Sequence, residues 1–454
     1  MAKIFKPKTR VNKRKHQSTA KQMADFTGVV HGYDHEGKGI IKQHEGRTVF
    51  VPGVMVDEKV KVRPNTYTDK VIHAELLHID KPNPSRISPQ CQHFDLCGGC
   101  QLQYITSDEQ VDIRQQALDK LFKHQLKLED IPWQPPISGQ AWGYRRTARL
   151  AVWHDKSDSM KIGFRQKNSK HIINVEHCPI LAPALTDLVQ AIRPVLSKLS
   201  NKREITHLQL FYLEQECFLI IRTTNNLTDQ DKQALKQFAV EQNAHVLLEP
   251  EKQKYENVSE KTFPAEILLE YRIKELAFQF QPQNFIQIND EVNQQMVKQA
   301  LDWLELTPDD LVLDLFSGVG NFTLPLAQKV RQVMAVEGVN DMVKRLKQNA
   351  ALNNIKNVSA HQADLSQIDD RRKPQWLKPI DKLLLDPARD GAFDVVKKIP
   401  ILAPKKILYV SCNPATMARD VKQLLSAGYR LTKVGLLNMF PHTSHVEAMA
   451  LLEK

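Results

Sequence analysis

The sequence predicts an α/β protein that ends in a Rossmann-like, doubly wound sheet, preceded by an OB-like β-barrel and a mixed, β-rich central region. Three observations predict it. From about residue 282 the runs VLDLF, VMAVEG, VSAHQADL, KLLLDP, KKILYVS and HVEAMALLE alternate with helical stretches such as 340–353 and 414–426, the rhythm of a parallel sheet covered on both faces. Residues 26–80 instead offer FTGVV, KGIIK, TVFVPGVMVDEKVKVR and KVIHAELLHI, short β-prone runs cut by glycine that suit a small closed barrel. A proline-rich joint, DKPNPSRISP, separates that barrel from the central region. A chain of 454 residues needs more than one core. The expected boundaries are a basic arm at 1–22, the barrel at 23–82, a central domain at 83–280 and the α/β domain at 281–454.

Taken in order, the arm holds eight Lys or Arg and no acid. It has little to bury and is expected to be disordered, either as a solubilising tail or as a set of phosphate contacts. In VDEKVKVR, Val56, Val60 and Val62 can face one way while Lys59, Lys61 and Arg63 face the other, which gives the barrel a basic outer surface suited to RNA. Residues 108–126 are patterned as a helix with Val111, Gln115, Leu118, Leu121 and Phe122 near one face, and Pro132, Pro135 and Pro136 stop it. Strands are expected at 145–153, 160–165 and 170–175, the first bearing Arg145, Arg146 and Arg149. THLQLFYLE and CFLIIRTT read as two more, with Cys217 at the start of the second.

Lys and Arg number 63 against 52 Asp and Glu, a net charge of +11, which favours a polyanionic partner without requiring one. Six cysteines are too few and too clustered for a secreted disulfide scaffold. No run approaches 18 apolar residues and the N-terminus lacks the apolar stretch of a signal peptide. A cytoplasmic protein with reduced thiols and no membrane contact is expected.

In VLDLFSGVGNF, Asp314 ends a strand and Gly318 and Gly320 fall in the turn before a helix. Glu337 stands 23 residues beyond Asp314, at the end of the next strand, where a carboxylate can accept both ribose hydroxyls. Dinucleotide enzymes share both features. The D-x-F-x-G-x-G form lacks their G-x-G-x-x-G spacing, and Asp364 follows a third strand where it could meet an adenine amino group. This favours S-adenosylmethionine, with a helix cap as the alternative role for Asp364.

Uracil C5 is too weak a nucleophile to attack a methyl-sulfonium unaided. A thiolate added to C6 makes C5 an enolate carbon, and a base must then remove the C5 proton. Cys412, in YVSCNPAT, follows an apolar strand and precedes a helix that Pro414 can open. Such a helix start is expected to lower the thiol pKa. Thirty-five residues on, Glu447 opens the final apolar strand in FPHTSHVEAMALL and is the candidate base. For Cys412 alone, an inert core thiol is the alternative. Asp386 in LLLDPAR could hold the uracil or organise the cofactor pocket, and Arg389 could meet a phosphate or a developing negative oxygen. An Asp-Pro turn with a surface arginine is their plainer reading. Transfer to an exocyclic amine would leave Cys412 and Glu447 without a role. Elsewhere, Cys91, Cys97 and Cys100 have C-x5-C-x2-C spacing, with Gly98 and Gly99 between two of them and Cys178 far along the chain. Four such ligands suit zinc or an iron–sulfur cluster.

Through SCNPAT and FPHTSHVE above all, the chain resembles the RNA uracil-5-methyltransferase family, most closely its bacterial 23S ribosomal RNA branch, over nearly its whole length. The resemblance implies a class I S-adenosylmethionine-dependent methyltransferase domain and a TRAM barrel, with C5-methylation of a 23S ribosomal RNA uridine as the reaction. Cys412 then matches the nucleophile and Glu447 the base; Gln287, Phe316, Asn321, Glu337, Asp364 and Asp386 match cofactor contacts. Cys91, Cys97, Cys100 and Cys178 match the ligands of a [4Fe–4S] cluster. The resemblance also allows the helix at 108–126 to pack on the catalytic domain. A monomer with 23S ribosomal RNA as partner and no obligate protein partner is expected. A transfer RNA acceptor, another 23S uridine or a non-catalytic RNA-binding role are the alternatives. The family usually has cysteine where Ser317 stands and often a second proline where Ala388 stands. Neither position supplies the nucleophile or the base.

Overall fold

The computed structural model describes residues 23–155, 157, 159–259, 266–368 and 374–454. The basic arm expected at 1–22 lies outside the described residues. Strands β1 (Phe26–Tyr33), β2 (Gly39–His44), β3 (Arg47–Val51), β4 (Lys59–Tyr67) and β5 (Val71–Lys81) close into a barrel in the order β1-β2-β3-β5-β4. Closure leaves no sheet edge open for pairing. Val30, Val49, Val60, Val62 and Ile72 fill its interior without exposure. On β4, Lys59, Lys61 and Arg63 are exposed while Val60 and Val62 are buried, as a period of two dictates. Val56 reaches the same core from the loop before β4 rather than from the strand. Of the described residues, those up to Gly32 form one compact unit with Gly39–Asn83, and Tyr33–Lys38 form a second with Pro84–Lys454.

In the second unit, helix α1 (Ser107–Leu126) begins at Thr106, whose hydroxyl caps the Glu109 N–H, and carries Asp108 and Glu109 in its first turn, where carboxylates suit the helix dipole. A six-stranded sheet comes next: β6 (Thr147–His154), β7 (Met160–Gly163), then, beyond helix α2 (Pro183–Lys198), β8 (Ile205–Leu213) and β9 (Glu216–Thr223), and, beyond helix α3 (Asp229–Glu241), β10 (Ala244–Glu251) and β11 (Lys254–Asn257). Its order is β11-β10-β9-β8-β6-β7. The run at 170–175 is not a named strand of this sheet; Ile173 and Val175 donate backbone N–H groups to Phe164 and Ile162, the Gln166 N–H donates to His171, and Arg165 and Ile172 form an isolated antiparallel bridge. The hairpin β12 (Leu269–Ile273) and β13 (Leu276–Phe280) precedes helix α4 (Asp290–Leu304).

The C-terminal sheet is built from β14 (Leu311–Leu315), helix α5 (Thr323–Ala327), β15 (Gln332–Glu337), helix α6 (Asn340–Leu352), β16 (Val358–Gln362) and β17 (Lys382–Leu385). Short helices α7 (Phe393–Val396) and α8 (Ile399–Leu402), β18 (Lys406–Ser411), helix α9 (Pro414–Ser426), β19 (Arg430–Leu437) and β20 (Glu447–Glu453) complete it. The order is β16-β15-β14-β17-β18-β20-β19. From β16 to β18 the strands are parallel, and β20 runs antiparallel to both its neighbours. One face carries Val312, Val333, Leu384 and Leu408 into a core shared with α4 and the β12–β13 hairpin. The other carries Leu313, Val336, Leu383 and Ile407 into a core that takes in α9 and also α1. Strands buried on both faces explain why β14 and β17 read as unbroken apolar runs. Helix α1, though far away in sequence, packs along α9 through Leu118, Phe122 and Leu126.

Candidate active site

Parallel strands all deliver their C-terminal ends to one edge of a sheet, where ligands of such folds bind. The reversed β20 brings its first residue to that same edge. Ser411 pairs with Ala448 across β18 and β20. Continuing this register by one residue sets Cys412, just past β18, opposite Glu447, the first residue of β20. Antiparallel partners have Cα atoms roughly 5 Å apart. Both residues line a cavity of about 1350 Å³ together with Gln287, Phe316, Asn321, Glu337 and Asp386. Asp364 does not line it: it is exposed and accepts hydrogen bonds from the Ser366 N–H and hydroxyl.

The cofactor side is shaped by the turn after β14. Phe316 takes φ +66°, Gly318 +56° and Gly320 +105°, left-handed conformations that cost a phenylalanine strain and glycine almost none. A Cβ on Gly318 would meet nothing within 4 Å, so the turn faces open space. Glu337 accepts the Gly318 N–H at 3.1 Å and the Val339 N–H at 2.9 Å, which fixes its carboxylate and leaves lone pairs for a ligand diol. Asn321 is held by the Tyr271 hydroxyl at 3.1 Å and by paired amide bonds with Asn293. Arg146 lies over the Tyr271 ring and bonds the Gln287 carbonyl and Asp290. Thus β12, α4 and the central sheet all brace the cofactor side. Open space at Gly318 beside a fixed carboxylate and a fixed amide fits the adenosine and amino-acid parts of S-adenosylmethionine.

Glu447 is buried and its Oε2 has no hydrogen-bond partner, an expensive arrangement unless a ligand completes it. Burial, followed by the charge of Asp386, pushes its pKa up to about 8. Burial also lifts Asp386 to about 7. Beneath them Asp314, bonded by the Thr323 hydroxyl, is likewise raised to about 7 by burial, with Asp386 and Glu337 adding repulsion. Cys412 departs from expectation. Its thiol pKa is raised, by burial first and then by the charges of Glu447 and Asp386, against the pull of Arg389. At the start of α9 the Asn413 side chain caps the Ala415 and Thr416 N–H groups. Asn413 and Thr416 also bond the Arg389 carbonyl, tying the Asp386–Arg389 turn to the nucleophile's loop.

The iron–sulfur expectation is corrected. Among the described residues no three His, Cys, Asp or Glu side chains are gathered where they could hold a metal ion. Cys91, Cys97, Cys100 and Cys178 all line the cavity, but they do not make up such a group. Burial lifts Cys100 to about 12 and Cys178 to about 11, and raises Cys91 as well.

Two further features escape sequence reading. Arg114, an arginine on the apolar side of α1, is buried and donates to Asn438 Oδ1 at 2.7 Å and to the carbonyls of Phe440 and Thr443. Gln110 bonds His442 through side chain and backbone. Together they clamp the loop that leads into Glu447. An arginine amid Val111, Leu118 and Phe122 was the available signal. Phe285, 67% exposed, lines the cavity beside Gln287; in sequence it is only an apolar residue in a loop.

The tRNA (Uracil-5-)-methyltransferase family profile matches residues 106–454. The 23S rRNA (uracil(1939)-C(5))-methyltransferase RlmD of Shewanella sediminis is 41% identical over 454 residues, covering all of both chains. That of Aeromonas hydrophila is 38% identical over 456 residues, again covering all of both. The tRNA (uracil-54, C5)-methyltransferase of Pyrococcus abyssi, solved with S-adenosyl-L-homocysteine, has the same fold: TM-score 0.69 at 24% identity, over 94% of this chain and 100% of that one. The reversed last strand, the glycine turn with its fixed glutamate, the Cys412–Glu447 edge and full-length similarity to ribosomal enzymes agree, and the chain belongs to the RNA uracil-5-methyltransferase family, in its 23S ribosomal RNA branch.

Proposed function

We propose that the chain transfers a methyl group from S-adenosylmethionine to C5 of a uridine in 23S ribosomal RNA, position 1939 in the relatives' numbering, through transient addition of Cys412 to uracil C6. The observation that carries this reading is the register of β18 and β20, which sets a thiol and a buried, unpaired carboxylate face to face at one cavity edge. Bound S-adenosylmethionine supplies an electrophilic methyl on a sulfonium. The Cys412 thiolate forms the S–C6 bond and shifts the electron pair of the C5–C6 double bond onto C5 and the O4 carbonyl. C5 then bonds to the methyl carbon as the carbon–sulfonium bond breaks, leaving a neutral thioether. Glu447 takes the C5 proton; the electrons of that C–H bond restore the double bond and expel the thiolate. Arg389 stands where it can offset the negative charge of the enolate and of Cys412. Asp386 orients the uracil or the cofactor, and Gln287, Phe316, Asn321 and Glu337 bind the cofactor.

The same reading makes the protein a cytoplasmic monomer whose partner is RNA; no helix among the described residues is long and apolar enough to cross a membrane. The test incubates purified protein with labelled S-adenosylmethionine and separate unmodified 23S, 16S and transfer RNAs, then locates the product nucleoside. 5-Methyluridine in 23S RNA alone is expected. Its absence from every RNA would overturn the reaction, and transfer RNA as sole acceptor would overturn the ribosomal assignment.

A further inference from the structure

The six-stranded sheet uses its two faces differently. One packs against α2 and α3 through Leu150, Leu185, Leu208, Leu219 and Leu235. The opposite face is covered only in part, where Phe211, Phe218, Ile220 and Leu247 join the core shared with β12, β13 and α4. Along β6 the alternation is plain: Ala148, Leu150 and Val152 are buried on the helix side, whereas Arg149 and Trp153 are exposed on the other. Residues paired across neighbouring strands share a face. Trp153 pairs with Lys161, Ala151 with His207, and His207 with Arg222, so this side presents a row of cations ending at an indole.

Trp153 is 49% exposed, and Phe285 in the cavity is the other exposed Phe or Trp among the described residues. The Lys161 ammonium lies 5.9 Å from the centre of the Trp153 ring. Arg149, Arg222 and Arg165 surround His207 closely enough to hold its pKa down, together with its burial. The one carboxylate beside Arg222 in the register, Glu249, is felt at His207, but Arg149, Arg165, Arg222 and Lys161 outnumber it and the row stays net positive. Arg149 and Arg165 also line the cavity, which makes the row continuous with the cavity lip. Trp153 lies four residues beyond Arg149, about 13 Å along the strand.

We propose that this open sheet face is a docking track for the single-stranded RNA that flanks the target nucleotide, with phosphates on Arg149, Arg165 and Arg222 and one base stacked on Trp153. The proposal rests on the RNA-methylation reading above and adds where the flanking strand runs. Turning a uridine into the cavity strips its neighbours of a stacking partner. An aromatic platform outside the cavity replaces that stack irrespective of base identity, and the arginines fix the strand's course without reading its sequence.

The test compares wild type, Trp153→Ala, Trp153→Phe and Lys161→Ala in the full chain. Two RNAs serve as substrates: a 23S fragment of several dozen nucleotides, and an oligonucleotide too short to reach from the cavity to Trp153. With the long RNA, Trp153→Ala is expected to raise KM and Kd about tenfold, within the range of one base–aromatic stack. The kcat at saturating RNA and the KM for S-adenosylmethionine should not move. Trp153→Phe should recover most of the affinity, and Lys161→Ala should cost less than Trp153→Ala. With the short RNA all four should behave alike. Equal affinity of wild type and Trp153→Ala for the long RNA, or an equal loss on both RNAs, would overturn the track. If wild type binds RNA but makes no 5-methyluridine, the function falls while the affinity ratio still judges the track.

Discussion

On the proposed mechanism Glu447 and Cys412 share one difficulty: each must be ionised to act, and each is held towards its neutral form by burial and by the charge of Asp386, with Glu447 adding to the shift of Cys412. The carboxylate, pushed up to about 8, loses its proton as pH rises through that value. Because the Cys412 thiol is raised as well, both groups are protonated below pH 8, and log kcat/KM for RNA is expected to fall there by about two per pH unit, read from a profile between pH 6 and 9.5. Arg389 is the group that pulls the Cys412 pKa down. Arg389→Ala removes that pull, so its alkaline limb should move to higher pH while maximal turnover also drops. Removing each partner separates their roles: Cys412→Ala should abolish turnover and covalent attachment alike. Glu447→Gln should add to C6, transfer the methyl and then stall as an RNA adduct visible on a denaturing gel. A Glu447→Gln enzyme that turns over normally without an adduct would refute the assigned base.

At the scale of elements, the loop from Asn438 to His445 is shaped by a helix more than three hundred residues earlier. Its carbonyls and amide oxygen depend on Arg114, a buried cation whose pKa falls to about 10 through burial. Arg114→Met leaves those acceptors without a donor and should cost about 3 kcal/mol in denaturant unfolding, each buried unsatisfied group being worth ~1–3 kcal/mol. Turnover should drop with it because Glu447 follows that loop. Leu118→Ala, on the same helix and fully buried, should cost ~2–5 kcal/mol through the cavity it leaves while the loop keeps its bonds. The turn after β14 gives a different signature. Asp314 has a folded pKa of about 7, above that of an unfolded carboxylate. Its contribution to stability is full below the unfolded value and is lost as pH rises through 7. Asp314→Asn keeps an acceptor for Thr323 but cannot ionise, so its melting temperature relative to wild type should rise between pH 5 and pH 8.

For the molecule as a whole, the net charge of +11 fits a polyanionic substrate. It also sets a measurable expectation: log affinity for RNA should fall linearly with log salt, with a slope reporting the number of phosphates neutralised. A slope near zero between 50 and 300 mM potassium chloride would mean that the basic surface plays no part in binding. The alternation of apolar strands and helices after residue 282 was legible because the central strands β14, β17 and β18 are buried on both faces and helices such as α6 and α9 keep an exposed side. The barrel was legible from its glycines and its period-two valines. The run at 170–175 misled because it pairs mostly with residues 164–166, beyond the end of β7, through scattered bonds and one isolated bridge. The cysteine spacing misled further, since spacing along a chain does not fix where four sulfurs point.

By itself the sequence determined the fold class, the glycine turn with its glutamate, and the candidate nucleophile and base, because these follow from local periodicity and from residue types that one chemistry demands. Only the tertiary structure decided that Cys412 and Glu447 stand opposite one another, since that depends on β20 entering the sheet reversed. Only it raised the Cys412 pKa instead of lowering it, because burial and two carboxylates outweigh the pull of Arg389. Asp364 was left exposed and outside the cavity lining, and Arg114 was bonded to the loop that leads to Glu447. Each of these outcomes belongs to contacts between segments far apart in the chain, whose geometry no local pattern carries.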